Sequence, residues 1–300
     1  DIMIRFIHVV CLLFAVQSTS FACDACGCSI MGHPAGLLTE YRKSFLSLGY
    51  SHSGFTAAPG IGEGSIDAFH TIDLSFQYFM TRRWSAGIYQ PFRFNTRTID
   101  QSIQSVSGLA DTRLHVKYTF FEQNDDSKPL EIYLDIGAGL ILPTGSYDPH
   151  LHDQDLPENF NPGNGSLGMS LQQTSALSYR STGLILKNSL TRFSKTAADY
   201  QYGAQWACNL LMFADLPLDS ITSLVPMAGL QFEKVGTDLH PNGTEVHGTG
   251  GNGIFVSAGC QLKIKNWLCT FQYFIPASHE YSGGEVNARP RINCQLTHLF

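Results

Sequence analysis

The stretch from Asp111 to Phe120 sets the pattern for most of the chain. Thr112, Leu114, Val116, Tyr118 and Phe120 stand at every second position, and Asp111, Arg113, His115 and Lys117 fill places between them. A period of two is the signature of a β-strand, whose successive side chains point to opposite faces. Such a strand cannot sit in the core of a sandwich, because its ionisable side chains would be buried opposite the apolar ones. It can line a wet lumen whose outer wall meets lipid. Ile72, Leu74, Phe76, Tyr78 and Met80 alternate in the same way with Thr71, Asp73, Ser75 and Gln77. Ile132, Leu134, Ile136, Ala138 and Leu140 alternate with Glu131, Tyr133, Asp135 and two glycines, and Trp267, Cys269, Phe271, Tyr273 and Ile275 oppose Thr270 and Gln272.

About twelve such segments follow one another, starting near Ser44, Phe69, Trp84, Gly108, Leu130, Met169, Gly183, Tyr200, Ser223, Gly253, Trp267 and Arg289. The count is even, as single-chain bacterial barrels require. The even-numbered connections are mostly tight: Thr81-Arg82-Arg83, Glu122 to Pro129, Arg180 to Thr182, Ala214 to Thr222 and Lys265-Asn266. The odd ones are longer on the whole, above all Pro143 to Gly168 and Gly236 to Asn252. Short periplasmic turns facing longer outer loops give that alternation, with both chain ends on the periplasmic side. The expected fold is all-β, a transmembrane antiparallel up-and-down β-barrel of about twelve strands.

The first residues read differently. Met3, taken as the initiator, Ile4 and Arg5 form a short positive start, Ile7 to Val16 an apolar run, and Ser20-Phe21-Ala22 the small residues of a cleavage site. The chain is therefore divided into a signal peptide over 1–22, a cysteine-rich segment over 23–40 and an outer-membrane barrel over 41–300. No other window reaches the roughly 18 consecutive apolar residues of a membrane helix. Composition agrees: a charged fraction of 15% is low for a water-soluble globule, while a mean hydropathy of −0.04 is too polar for a bundle of membrane helices. A barrel, half lipid-facing and half lumen-facing, fits both. The net charge of −6 excludes a generally basic nucleic-acid binder. At the other end, Phe300 follows His298, Leu296, Cys294 and Ile292 at every second position. This looks like the signal through which outer-membrane barrel assembly machinery takes up its clients, so that machinery, outer-membrane lipid and a small-molecule solute are the expected partners.

Five short stretches carry a family resemblance. Gly108-Leu109-Ala110-Asp111 followed by Lys117-Tyr118, Leu142-Pro143-Thr144-Gly145, Pro162-Gly163-Asn164-Gly165-Ser166, Thr249-Gly250-Gly251 and Phe300 occur in the order seen in outer-membrane barrels grouped as the MetA-pathway-of-phenol-degradation family, which the chain resembles. Ala110 stands where that family usually has Gly, and His279 to Gly284 lacks its usual Asn-Gly element. The resemblance implies a barrel that transports small molecules; the family label says little about the solute, because membership rests on the scaffold.

Two groups of residues could carry chemistry. Lumen-phase Asp73, Arg93, Asp111, Arg113, His115, Lys117 and Asp135 lie on consecutive strands, and would form a charged constriction or pair with one another to fill a narrow barrel. Cys23, Cys26 and Cys28, with Met31 and His33 just beyond, put soft ligands close enough to wrap one Cu(I) or Zn(II) ion. A periplasmic disulfide or lipid attachment at Cys23 competes with that reading. Cys208, Cys260, Cys269 and Cys294 are in phase with apolar faces and are expected to stay unpaired. His150, His152, Asp153 and Asp155, with His240, His247 and His279, fall in outer loops without the regular spacing of a metal site. The Gly-rich stretch Gly248 to Gly253 lacks the residues of a phosphate cradle, and no Gly-x-Ser-x-Gly nucleophile occurs, so no enzyme is expected. The function read from these features is passage of a small solute across the outer membrane. The competing reading is a barrel that handles copper or zinc through its cysteine segment.

Overall fold

The computed structural model describes residues 43–57, 64–123, 129–151 and 156–300. Its strands are β1 (Phe45–Ala57), β2 (Ile66–Phe79), β3 (Trp84–Ile99), β4 (Ser102–Leu109 continued by Thr112–Gln123), β5 (Leu130–Leu142), β6 (Gly168–Tyr179), β7 (Thr182–Phe193), β8 (Gln205–Ala214, continued by Leu216–Pro217), β9 (Thr222–Val235), β10 (Gly251–Ile264), β11 (Trp267–Tyr281) and β12 (Val286–Ala288 continued by Arg291–Leu299). Each pairs antiparallel with its neighbours in chain order. The sheet closes where β12 pairs with β1, from Phe45 opposite Leu299 to His52 opposite Ile292. The result is a closed antiparallel barrel of 12 strands. Closure leaves no free sheet edge, which a structure in lipid requires.

Burial follows the period of two. Leu46, Leu48, Ile72, Leu74, Val116, Ile136 and Leu140 are exposed on the outer wall, while Ser47, Asp73, Ser75, His115, Lys117 and Asp135 are buried inside. An apolar outside and a polar inside is the inverse of a soluble core, and the wall is suited to hydrocarbon. Aromatic pairs mark its two ends. Trp84 packs against Tyr118 at 4.9 Å and Trp267 against His298 at 4.6 Å on the side of the short turns. Trp206 packs against Phe232 at 5.0 Å on the side of the long loops. Two of the short turns place Arg180 and Lys265 at positive φ, in two-residue hairpins.

One connection departs from the sequence reading. That reading starts the fourth strand near Gly108, but β4 begins at Ser102, and the third connection, an outer one, shrinks to a turn at Asp100 and Gln101. Ser102 to Leu109 hides as a strand because its partly covered residues are even-numbered, whereas beyond the break the inward residues Asp111, Arg113, His115 and Lys117 are odd. The phase flips at Ala110 and Asp111. Opposite the break stands Pro91, which has no N–H to continue the ladder. The side-chain amide of Gln90 bridges the gap, donating to the carbonyls of Ala110 (2.9 Å) and Pro91 (3.2 Å).

Candidate functional site

Three of the lumen-phase residues share one construction: each lies against a glycine directly across the ladder. Asp73 of β2 opposes Gly49, His115 of β4 opposes Gly87, and Lys117 opposes Gly137. A Cβ built on Gly49 would stand 2.3 Å from Asp73 Oδ2, one on Gly87 2.4 Å from His115 Nε2, and one on Gly137 2.7 Å from Lys117 Cγ. The charged side chains therefore lie along the wall instead of projecting across the lumen. The Ser75 hydroxyl donates to Asp73 at 3.2 Å. Asp135 accepts from the Tyr133 hydroxyl and the Thr174 N–H, both at 3.1 Å, and Arg113 stacks 5.6 Å from the ring of Tyr89. Arg113, His115 and Lys117, joined by Lys187 of β7, Gln172 and Thr174, line a cavity of about 120 Å³ inside the barrel.

Asp111 and Arg93 do something else. The Asp111 carboxylate accepts the backbone N–H groups of Gly145 (3.0 Å) and Asn164 (2.7 Å), and Arg93 donates to the Pro162 carbonyl at 3.1 Å. Both hold the loop after β5, which turns inward. A Cβ on Gly145 would lie 2.8 Å from the backbone of Ala110, Asp111 and Gly163. The stretches Gly108 to Asp111, Leu142 to Gly145 and Pro162 to Ser166, distant in sequence, are thus one joint between wall and loop. At its inner side Phe160 is fully buried, 5.0 Å from Phe69, under the guanidinium of Arg97 and with its carbonyl accepting from Asn95 at 2.9 Å. Leu151, Leu156 and Phe160 of the loop complete an apolar cluster with Phe55, Phe255, Phe274 and Tyr281. The lumen is filled on this side.

Beside the cluster is a group that the sequence reading does not single out. Arg291 donates two hydrogen bonds of 2.7 Å to Glu233, the Tyr281 hydroxyl donates to the same carboxylate, and the guanidinium lies 3.8 Å from the ring of Phe255. Arg97 and Asp67 form a second bidentate pair, at 2.7 Å and 2.8 Å. The signal was present: Gln231, Glu233 and Val235 alternate with Phe232, by the same rule that marks Asp111 to Lys117. Lys187, two residues from Ile185 in a run of mixed polarity, shows no such contrast.

Outside the strands, the long loops are tied by Asp238, which accepts from the Tyr200 hydroxyl and the Gly203 N–H, both at 2.6 Å. Burial and then the adjacent carboxylate push the Tyr200 phenol well above its ordinary pKa; burial raises Asp238 against the pull of its hydrogen bonds. In the connection after β8 the N–H groups of Ile221 and Thr222 lower Asp219. The signal peptide over 1–22, Cys23, Cys26, Cys28 and His33, and the loop residues His152, Asp153 and Asp155, lie outside the described residues. Among the described residues no three His, Cys, Asp or Glu side chains gather as a metal site. Cys208, Cys260, Cys269 and Cys294 are free.

No family model matches the chain, and no curated protein matches its sequence. Among solved structures, the fold is similar to that of an outer membrane channel from Pseudomonas putida F1, with a TM-score of 0.66 at 15% identity over 86% of this chain and 96% of that one. It is also similar to the β domain of the Bordetella autotransporter BrkA, with a TM-score of 0.52 at 10% identity over 86% of this chain and 100% of that one. At these identities the likeness is one of fold. Fold and wall together define a transmembrane β-barrel whose lumen holds an inward loop and, beside it, a cavity lined by charge.

Proposed function

We propose that this chain is an outer-membrane channel that passes a small solute through the polar side of its lumen. The observation that carries the reading is the cavity of about 120 Å³ lined by Arg113, His115, Lys117 and Lys187, which reaches Val235 and Tyr281 at the edge of the apolar cluster. Laying Asp73, His115 and Lys117 on glycines keeps polar lumen volume that upright side chains would occupy. A 12-stranded wall encloses a bore between the filled kind and the wide porins, so only a small or slender solute fits. The P. putida neighbour, an outer membrane channel by its description, supports the same class. Delivery to the outer membrane would use a signal peptide over 1–22 and recognition of β12 and Phe300 by barrel assembly machinery.

Arg113, His115, Lys117 and Lys187 face Asp73 and Asp135 along this path, and the cations set its ion preference. Single-channel recording in a planar bilayer tests the reading. The native protein should conduct, and replacing Arg113 and Lys117 by glutamine should move the reversal potential in a salt gradient toward cation preference. A correctly folded barrel with no conductance refutes the channel; unchanged reversal potentials in the variant remove these two residues from the path.

A further inference from the structure

The lipid-facing wall carries one cluster that passage of a solute does not use. His52 of β1 and His70 of β2 are directly opposite in register, with ring centroids 4.6 Å apart. Both are even-numbered and share the outward phase of Leu46, Leu48, Ile72 and Leu74. Tyr50, in the same phase, places its hydroxyl 2.9 Å from His70 Nδ1. Arg289 joins from the β12 side: its backbone N–H donates to the Gly54 carbonyl at 2.9 Å, and its side chain covers Gly54, with Cδ 3.4 Å from where a Cβ would stand. The basic groups thus form a row, His70, His52 and Arg289, on the outside of the barrel toward its long-loop end. Among the described residues, His52 Nδ1 is buried without a hydrogen-bond partner.

We infer that this row binds the phosphate of an outer-leaflet membrane lipid. Basic groups directly opposed across a ladder repel one another when charged, and an anion between them reverses the sign of the interaction. Among the described residues, no carboxylate forms an ion pair with His52, His70 or Arg289. Asp67 of β2 turns inward to its pair with Arg97 at 2.7 Å, and Glu280, near the long-loop end of β11, is opposite Asn252 of β10. Phosphate suits the donors: Arg289 offers a planar fork, and His70, whose Nδ1 lies 2.9 Å from the Tyr50 hydroxyl, can donate to an oxygen from its other ring nitrogen. A lipid, and not free phosphate, fits the position. The apolar wall of Leu48, Ile72 and Leu74 runs directly below toward the short-turn end and receives acyl chains, while the row lies at headgroup level.

The test is native mass spectrometry of the full-length barrel, released from micelles containing lipid A with its phosphates or the same lipid after dephosphorylation. The native protein should retain the phosphorylated lipid about tenfold better than the dephosphorylated one, and Arg289→Gln with His70→Gln should abolish that preference. Tyr50→Phe, which leaves every charge in place, should reduce it severalfold and serves if the double variant fails to fold. Equal retention of the two lipids by the native protein overturns the inference, as does a folded double variant with unchanged preference. Binding of inorganic phosphate without preferential lipid retention overturns the assignment to a lipid. Channel conductance plays no part in this measurement, so the inference stands or falls apart from the proposed function.

Discussion

Two regions of this barrel's interior, the apolar cluster under the inward loop and the charged cavity beside it, are built on opposite rules. On the side of β10, β11, β12, β1 and β2, the lumen is closed by Phe55, Phe255 and Phe274 under the loop residue Phe160, with Glu233 and Arg291 locked together beside them. From β4 to β7, charged and amide side chains line a cavity that also reaches Glu233 and Tyr281, His115 and Lys117 lie flat on glycines, and toward the short turns a second apolar cluster with Tyr133, Ile185, Leu211 and Phe213 fills the interior. Aromatic rings fill volume and exclude water; a charge in such a place is tolerated only when fully paired, as Arg291 is. Beside the cavity, Arg113 lies near Asp73, and Lys117 and Lys187 lie near Asp135. The difference teaches that a barrel interior is not one environment: the same residue type is locked in an ion pair at one place and set beside a cavity at another.

Breaking the closed side should have the largest effect. Glu233→Leu leaves Arg291 buried without its carboxylate and is expected to destabilise the barrel by roughly 3–5 kcal/mol, read as a lower urea midpoint for tryptophan fluorescence in liposomes. Pairing it with Arg291→Met should recover most of that loss; no recovery would show that the ion pair is not what the single change disrupts. Phe160→Ala removes the ring that joins the loop to the wall, for a local loss of about 3–5 kcal/mol. The barrel should still form while single-channel conductance rises severalfold, and an unaltered conductance would show that the loop does not restrict the bore. On the lipid face of β4, Val116→Arg should cost roughly 2–4 kcal/mol at mid-membrane, whereas Lys117→Gln, one residue away but facing the lumen, should leave the urea midpoint nearly unmoved. Equal effects of the two would contradict the assignment of faces.

The smallest effect concerns the outer loops. The Tyr200 phenol titrates above its unfolded value of about 10, so its contribution is complete below that pH and is lost only as pH rises through the higher folded value. The packing of Tyr200, Asp238 and Gly203 should therefore hold across the neutral range and loosen only in strong alkali, followed by amide hydrogen exchange. Tyr200→Phe should increase exchange at Gly203 at every pH, for a loss of about 1–3 kcal/mol as Asp238 gives up a donor. An alkaline transition that persists unchanged in the phenylalanine variant would assign it to another group.

Much of this protein was legible along the chain because a strand in a barrel wall reports its two faces one residue at a time. The strand count, the apolar wall and the inward direction of Asp73, Asp111, Arg113, His115, Lys117 and Asp135 all follow from a period of two, a local property that needs no knowledge of partners. The phase flip at Ala110 concealed Ser102 to Leu109 because that inference assumes an unbroken strand. What the pattern cannot contain is which residues meet across the bore. Strand register laid Lys117 on Gly137, and the closed barrel set Arg291 of the last strand on Glu233 of the ninth and brought Gly108, Gly145 and Gly163 to one joint where Asp111 and Arg93 hold a loop. Those contacts join residues about twenty to about seventy positions apart in no fixed spacing, so tertiary structure alone decides them, and through them where the lumen is filled and where it holds a cavity.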